Sequence, residues 1–243
     1  MTPNQPGRCL FTTVILAGSL VLAGCATSAD KSSSSAASPN QFKADDGRTI
    51  DIGKSFPADG GTRYNNPHME KGKCWVADSF DFNGYDTLYI APTVSTAKFP
   101  DKPEDAIVHN LAKERFVTEL VLKLNERRIF MNVVTNASGI KPGAKTLTLE
   151  NTITEFSKGG GGARFFAGEF GAGQPVLRVH GKMSGGEKVL FDFEARRSGV
   201  SAGARMLGGS KKDEDIQIQD IRSMVLDLTD FMAAVAKKYP PKT

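Results

Sequence analysis

The sequence predicts an α+β domain: a mixed sheet of about five strands with two amphipathic helices packed on one face. Three observations lead there. Apolar and polar residues alternate over 146–156, 177–183 and 189–196, the period of two expected of a sheet buried on one side. Two longer stretches, ending near Arg127 and Tyr239, repeat their apolar residues every three or four positions, as amphipathic helices do. Between Tyr85 and Val134 an extended run, a helix and a second extended run follow one another, the order of a parallel crossover unit.

Taken from the start, residues 1–8 are polar with one positive charge, Arg8, and residues 9–22 run apolar or small through Leu10, Phe11, Val14, Ile15, Leu16, Leu20, Val21 and Leu22. This is the pattern of a signal peptide. The apolar run falls short of the roughly 20 residues a membrane-spanning helix needs. The next four residues, Leu22-Ala23-Gly24-Cys25, resemble the lipobox of bacterial lipoproteins. That resemblance implies cleavage between Gly24 and Cys25 and acylation of the Cys25 thiol, palmitate among the acyl chains. Each buried CH₂ then adds about 0.8 kcal/mol to a membrane anchor. Ala26 stands where an Asp would signal inner-membrane retention, which implies the outer membrane, facing the periplasm.

Three segments follow from this: a lipoprotein signal peptide over 1–24, a lipidated Cys with a Ser-rich tether over 25–72, and a periplasmic α+β domain over 73–243. The tether is rich in Ser, Asp, Lys and Gly and sustains neither period. In the domain, Asn83-Gly84 reads as a turn before a strand over 85–91 that Pro92 ends. Asp101-Lys102-Pro103-Glu104 supplies a cap, an early proline and an acidic residue for a helix with Val108, Leu111, Phe116, Leu120 and Leu124 on one stripe. A second strand is expected over 129–134, and a third places Leu147, Leu149 and Ile153 on one face.

A hairpin around Ser184-Gly185-Gly186-Glu187 sets Leu177, Val179, Met183, Val189, Phe191, Phe193 and Ala195 against Arg178, His180, Lys182, Asp192, Glu194 and Arg196. The last helix carries Ile218, Ile221, Val225, Leu228, Met232 and Val235 on one stripe, with Asp213, Glu214 and Asp215 near its positive end.

The chemistry is sparse. A net charge of +4 is interspersed along the chain without a basic block, so no nucleic-acid partner is expected. Of three cysteines, Cys9 leaves with the signal and Cys25 is lipidated, so Cys74 has no partner for an intramolecular disulfide. Gly199-Val200-Ser201-Ala202-Gly203 matches a nucleophile elbow, yet His68, His109 and His180 all precede the serine where a hydrolase needs one after it. Those histidines are isolated, and the faint calcium-loop echo of Ser79, Asp81 and Asn83 ends at Ile90 instead of Glu. No catalytic set, metal site or cofactor is read from this.

The least ordinary feature is the glycine. Gly159 to Gly162 and then Gly168, Gly171 and Gly173 precede the hairpin, and Gly199, Gly203, Gly208 and Gly209 follow it. No helix begins directly after Gly173 to meet a phosphate. Phe165, Phe166, Phe170, Met206 and Leu207 lie among these glycines and form the candidate surface for an envelope protein partner, for another copy of the chain, or for the membrane.

The run Gly162-Ala163-Arg164-Phe165-Phe166-Ala167-Gly168-Glu169-Phe170-Gly171-Ala172-Gly173, the hairpin and the glycines of 199–209 resemble an uncharacterised family of bacterial membrane lipoproteins built on a domain of unknown function. The likeness covers about residues 85–239. It departs at Ser184-Gly185-Gly186, where the family carries an acidic residue and Thr, and it implies no catalytic residue. The expectation is a lipid-anchored envelope lipoprotein with a non-enzymatic binding or assembly role. The alternatives are a periplasmic enzyme or a small-ligand or lipid-binding protein.

Overall fold

A computed structural model describes residues 41–43, 49–66, 70–98, 103–160, 173–199 and 213–238, all within the unit spanning 37–243. Strands β1 (Gln41–Lys43) and β2 (Thr49–Asp51) form a small antiparallel pair. A nine-stranded sheet is built from β3 (Lys54–Ala58), β4 (Gly61–Asn66), β5 (Glu70–Ala77), β6 (Thr87–Ile90), β7 (Val94–Ser95), β8 (Asn132–Val134), β9 (Thr146–Ser157), β10 (Val176–Gly185) and β11 (Lys188–Ser198). Its order is β3-β4-β5-β11-β10-β9-β6-β8, with β7 alongside β9. Two helices complete it, α1 (Pro103–Arg127) and α2 (Asp213–Lys238). No helix of the described residues is long and apolar enough to cross a membrane.

The class is mixed α and β as expected, but the count of about five strands is corrected to nine in the large sheet and two in the small one. Much of the excess lies in residues 41–66, assigned above to the tether. These strands are short, and β3 lies at the sheet's edge with Lys54, Ser55, Phe56 and Pro57 all exposed. An edge strand with so little burial leaves no alternating trace.

Elsewhere the order of elements matches the reading. β6 pairs in parallel with β8, Leu88 opposite Val133, on either side of α1 in sequence. It also pairs in parallel with β9.

One face of the sheet holds Tyr64, Cys74, Val76, Phe191, Phe193, Ala195, Val179, Met183, Leu149, Ile153, Leu88 and Ile90, all buried. Helix α1 contributes Ala112, Phe116, Leu120 and Leu124 to the same core. Leu111, expected on that stripe, is 50 % exposed; the buried stripe runs instead through Asp105, His109 and Ala112, one helical step away. Helix α2 contributes Ile221, Met224, Val225, Leu228, Phe231, Met232 and Val235. Phe231 reaches both Tyr64 and Phe191, at centroid distances of 5.4 and 6.0 Å.

Glu119 of α1 pairs with Arg222 of α2 at 3.0 Å, and Arg127 pairs with Asp230. The pairs advance in the same direction along both helices, so α1 and α2 run parallel and begin at the same end.

Two backbone details fix the local geometry. Gly181 on β10 faces Phe193 across the hairpin, and a Cβ there would stand 2.2 Å from the Phe193 ring and 2.9 Å from Asn151 Oδ1. Gly181→Ala should therefore overpack the sheet and lower stability by about 1–3 kcal/mol, read as a reduced urea midpoint. At the end of α1, Arg128 sits at φ 52°. Its N–H donates to Asn125 O and the next, of Ile129, to Leu124 O, a helix termination that normally uses glycine. Arg128→Gly should raise stability by up to about 1 kcal/mol, read as a higher thermal midpoint, once glycine's larger unfolded-state entropy is set against the left-handed penalty.

Candidate functional site

No helix among the described residues covers the other face of the sheet, and its side chains follow from register. Across β3, β4, β5, β11, β10 and β9, one row reads Phe56, Arg63, Trp75, Asp192, Lys182, Glu150. The next reads Lys54, Asn65, Lys73, Glu194, His180, Thr152. A third brings Arg196, Arg178 and Glu155 side by side.

Glu155 reaches this face only because the β9–β10 register shifts between Arg178 and Val179, which leaves Thr154 as an extra residue. In an unbroken strand Glu155 would share the side of Leu149 and Ile153. The shift places its carboxylate between two guanidiniums that are direct cross-strand neighbours. Arg178 Nε donates to Glu155 Oε2 at 3.0 Å and Arg196 Nε donates to the same oxygen at 3.2 Å. Arg178 also donates from Nη1 to Glu194 Oε1 at 3.0 Å. Partial burial raises the Glu155 carboxyl, but the hydrogen bonds and charges of Arg196 and Arg178 outweigh it and hold the group below its ordinary range.

His180 Nε2 lies 3.1 Å from both carboxylate oxygens of Asp192. Beside this pair a depression of 580 Å³ is lined by Arg63, Lys73, Trp75, Val189 and Glu194. Val189 was expected in the core. A second register shift, between Met183 and Ser184, sends it outward and buries Leu190 instead. Trp75 packs over Gly61, where a Cβ would come within 2.8 Å of the indole.

At one end of the sheet the glycine-rich segments leave. Gly160 N donates to Gly173 O at 2.8 Å, and Gly199 N donates to Pro175 O at 3.1 Å. Lys158 at this end pairs with Asp105 in the first turns of α1. Close by, His109 Nε2 and Ser95 Oγ are 2.9 Å apart, and the imidazole packs edge-on against Phe156. Burial, then the charge of Lys113, lowers the His109 pKa.

Gly24, Cys25, Phe165, Phe166, Phe170, Met206 and Leu207 lie outside the described residues, as do His68 and Ser201. Cys74 is buried on the covered face, where burial first and Asp192 second push its thiol up. His180 and His109 are far apart in role: one belongs to the open charged face, the other is buried beside Ser95. Among the described residues no group of three potential metal ligands converges. Sequence reasoning misses Phe56, Arg63, Lys73 and Trp75 as members of one face, because β3 buries too little to show an alternating period.

No protein-family model and no curated protein matches the chain. Among solved structures, it is similar to the PelC dodecamer from Paraburkholderia phytofirmans, with 12 % identity and a TM-score of 0.40 over 65 % of this chain and 96 % of that one. A dodecamer of a singly substituted PelC from the same organism gives 13 % identity and a TM-score of 0.39, over 65 % and 97 %. Protein XCC0632 from Xanthomonas campestris, of the domain-of-unknown-function family model DUF330, gives 10 % identity and a TM-score of 0.34, over 67 % and 91 %.

The Glu155 cluster yields a pH-dependent expectation. A depressed carboxyl contributes stability that is complete above the unfolded value, 4.5 for a glutamate, and is lost as pH falls through the lower folded value. Glu155→Gln should be less stable than the parent at pH 7, where Arg178 and Arg196 lose the shared anion. The difference in urea midpoint between the two should narrow steadily as pH drops below the ordinary carboxylate range.

Proposed function

We propose that the chain is a lipid-anchored envelope protein whose domain binds a protein partner and turns over no substrate. On this reading residues 1–24 are a signal peptide cleaved before Cys25. Acyl chains on Cys25 hold the mature protein at the periplasmic face of the outer membrane. The anchoring half rests on Leu22-Ala23-Gly24-Cys25 behind a short apolar run. With strands from Gln41 onward, only residues 26–40 separate that cysteine from the first strand.

The binding half rests on one observation: two helices cover one side of a nine-stranded sheet, and the other side presents charged residues held in fixed cross-strand pairs. Such a surface is already ordered before it meets a partner, which reduces the entropy lost on association. The departure of both glycine-rich segments from one end of the hairpin supports a second contact region there, with Phe165, Phe166, Phe170, Met206 and Leu207 as its apolar groups.

Cys25→Ser should abolish incorporation of labelled fatty acid and move the protein out of the membrane fraction; unchanged labelling would remove the anchor from this reading. For the binding half, crosslinked envelopes should yield a specific partner with the parent chain. That partner should be lost when Arg178 and Glu194 are both reversed in charge. Identical recovery with the reversed chain would rule out the open face as the contact.

A further inference from the structure

The three strands nearest the N-terminal edge of the open face differ from the rest of it. On β9, β10 and β11 positive and negative groups alternate: Arg178 pairs with Glu155 and Glu194, Arg196 with Glu155, and His180 with Asp192, while Lys182 stands between Asp192 and Glu150 in register. On β3, β4 and β5 the register places Lys54, Phe56, Arg63, Asn65, Lys73 and Trp75 together, and the one carboxylate these strands bring to the same side, Glu70, stands at the start of β5 opposite Arg196. Lys54, Arg63 and Lys73 have no ion-pair partner among the described residues. Lys54 Nζ instead stands 5.5 Å from the centre of the Phe56 ring. Phe56 is 39 % exposed, while Trp75 is half-buried beside Arg63. The carboxylates that face β5 from β11, Asp192 and Glu194, are already engaged with His180 and Arg178.

We infer that this patch docks the domain onto an anionic phospholipid surface, the membrane that carries its anchor; the inference thus rests on the anchoring reading above. Cations with aromatic rings between them suit a headgroup layer, where the ammonium and guanidinium groups meet phosphates and the rings occupy the interface. Chain length agrees. Fifteen residues, 26–40, join Cys25 to β1, and fully extended they span at most roughly 50 Å. The anchor therefore keeps the domain near the bilayer, and β3, the first strand of the large sheet, lies at the edge of that sheet. A weak surface becomes effective at the high local concentration such a link imposes.

Trp75 is the only tryptophan in the chain, so its fluorescence reports this face alone. The experiment uses the mature chain from residue 25 with Cys25→Ser, so that neither an acyl chain nor the signal contributes. It is mixed with vesicles of phosphatidylethanolamine and phosphatidylglycerol, and separately with pure phosphatidylcholine. The expected result is co-sedimentation with the anionic vesicles, a blue-shifted Trp75 emission, and reversal of both by about 0.5 M salt, which shrinks electrostatic reach to roughly a few Å.

Reversing Lys54, Arg63 and Lys73 to Glu, all at exposed positions, should lower the partition constant on the order of a hundredfold while circular dichroism stays unchanged. Equal partition of the triple variant, an unmoved Trp75 emission, or a shift produced by envelope protein but not by vesicles would each overturn the docking inference. Acyl labelling of the unaltered chain is scored separately. Loss of labelling with vesicle binding intact would sink the anchor and leave the docking surface standing.

Discussion

The aromatic packing between the sheet and α2 depends on the contact between Phe193 and Gly181. A phenyl ring needs space that a neighbouring strand with a side chain would deny it, and Gly181 provides that space directly across the hairpin. With Phe193 accommodated, Phe191 sits one step along the same face at a centroid distance of 5.9 Å. Phe231 of α2 then packs on Phe191 and Tyr64. Those contacts bring together β4, β10, β11 and α2, elements from both ends of the chain. Interiors packed to crystal-like density respond to a single methyl group, so the smallest residue of the sheet has one of the largest structural roles.

What was legible in the sequence followed burial. β9, β10 and β11 bury one face under the helices and expose the other, and each wrote that asymmetry into its residues as Leu147-Leu149 or Phe191-Phe193 against charged neighbours. The helices were legible for the same reason, although Leu111 shows how one displaced apolar residue can be assigned to the wrong side of a cylinder. The N-terminal strands were missed because β3 buries almost nothing and its residues carry no two-fold period. A local signal was present all the same. Asp59-Gly60 joins β3 to β4, with Ala58 opposite Gly61 and Gly60 at φ 66°, and Asp-Gly between two extended runs is a strong hairpin signature.

The open face was half legible. The alternation of Arg178, His180 and Lys182 with apolar residues gave its membership on β10, but two register shifts decided which groups actually meet. Neither shift has a sequence signature here: no glycine or proline marks Thr154 or Leu190. Without the first, Glu155 would point into the core, and Arg178 and Arg196 would lose the carboxylate they share. The charge pattern of the face is therefore a property of strand irregularity as much as of composition. The lipobox-like run Leu22-Ala23-Gly24-Cys25 and the glycine-rich segments were the clearest features of the sequence, and most of their residues lie outside the described ones.

The pairing of β5 with β11 also orders events in time. Val76 lies against Phe191, more than a hundred residues further along the chain, so a polypeptide delivered N-terminus first presents β3, β4 and β5 long before the strand that completes them exists. During that interval β5 has an open backbone edge, and the hairpin of β3 and β4 can shield only one side of it. Long-range pairing of this kind is slow to form and exposes strand edges to other chains. Lys71 and Lys73 on β5, and Lys54 with Pro57 on β3, are the residue types that discourage such encounters. The same cations that give the finished surface its charge would then act first as guardians of an unfinished one.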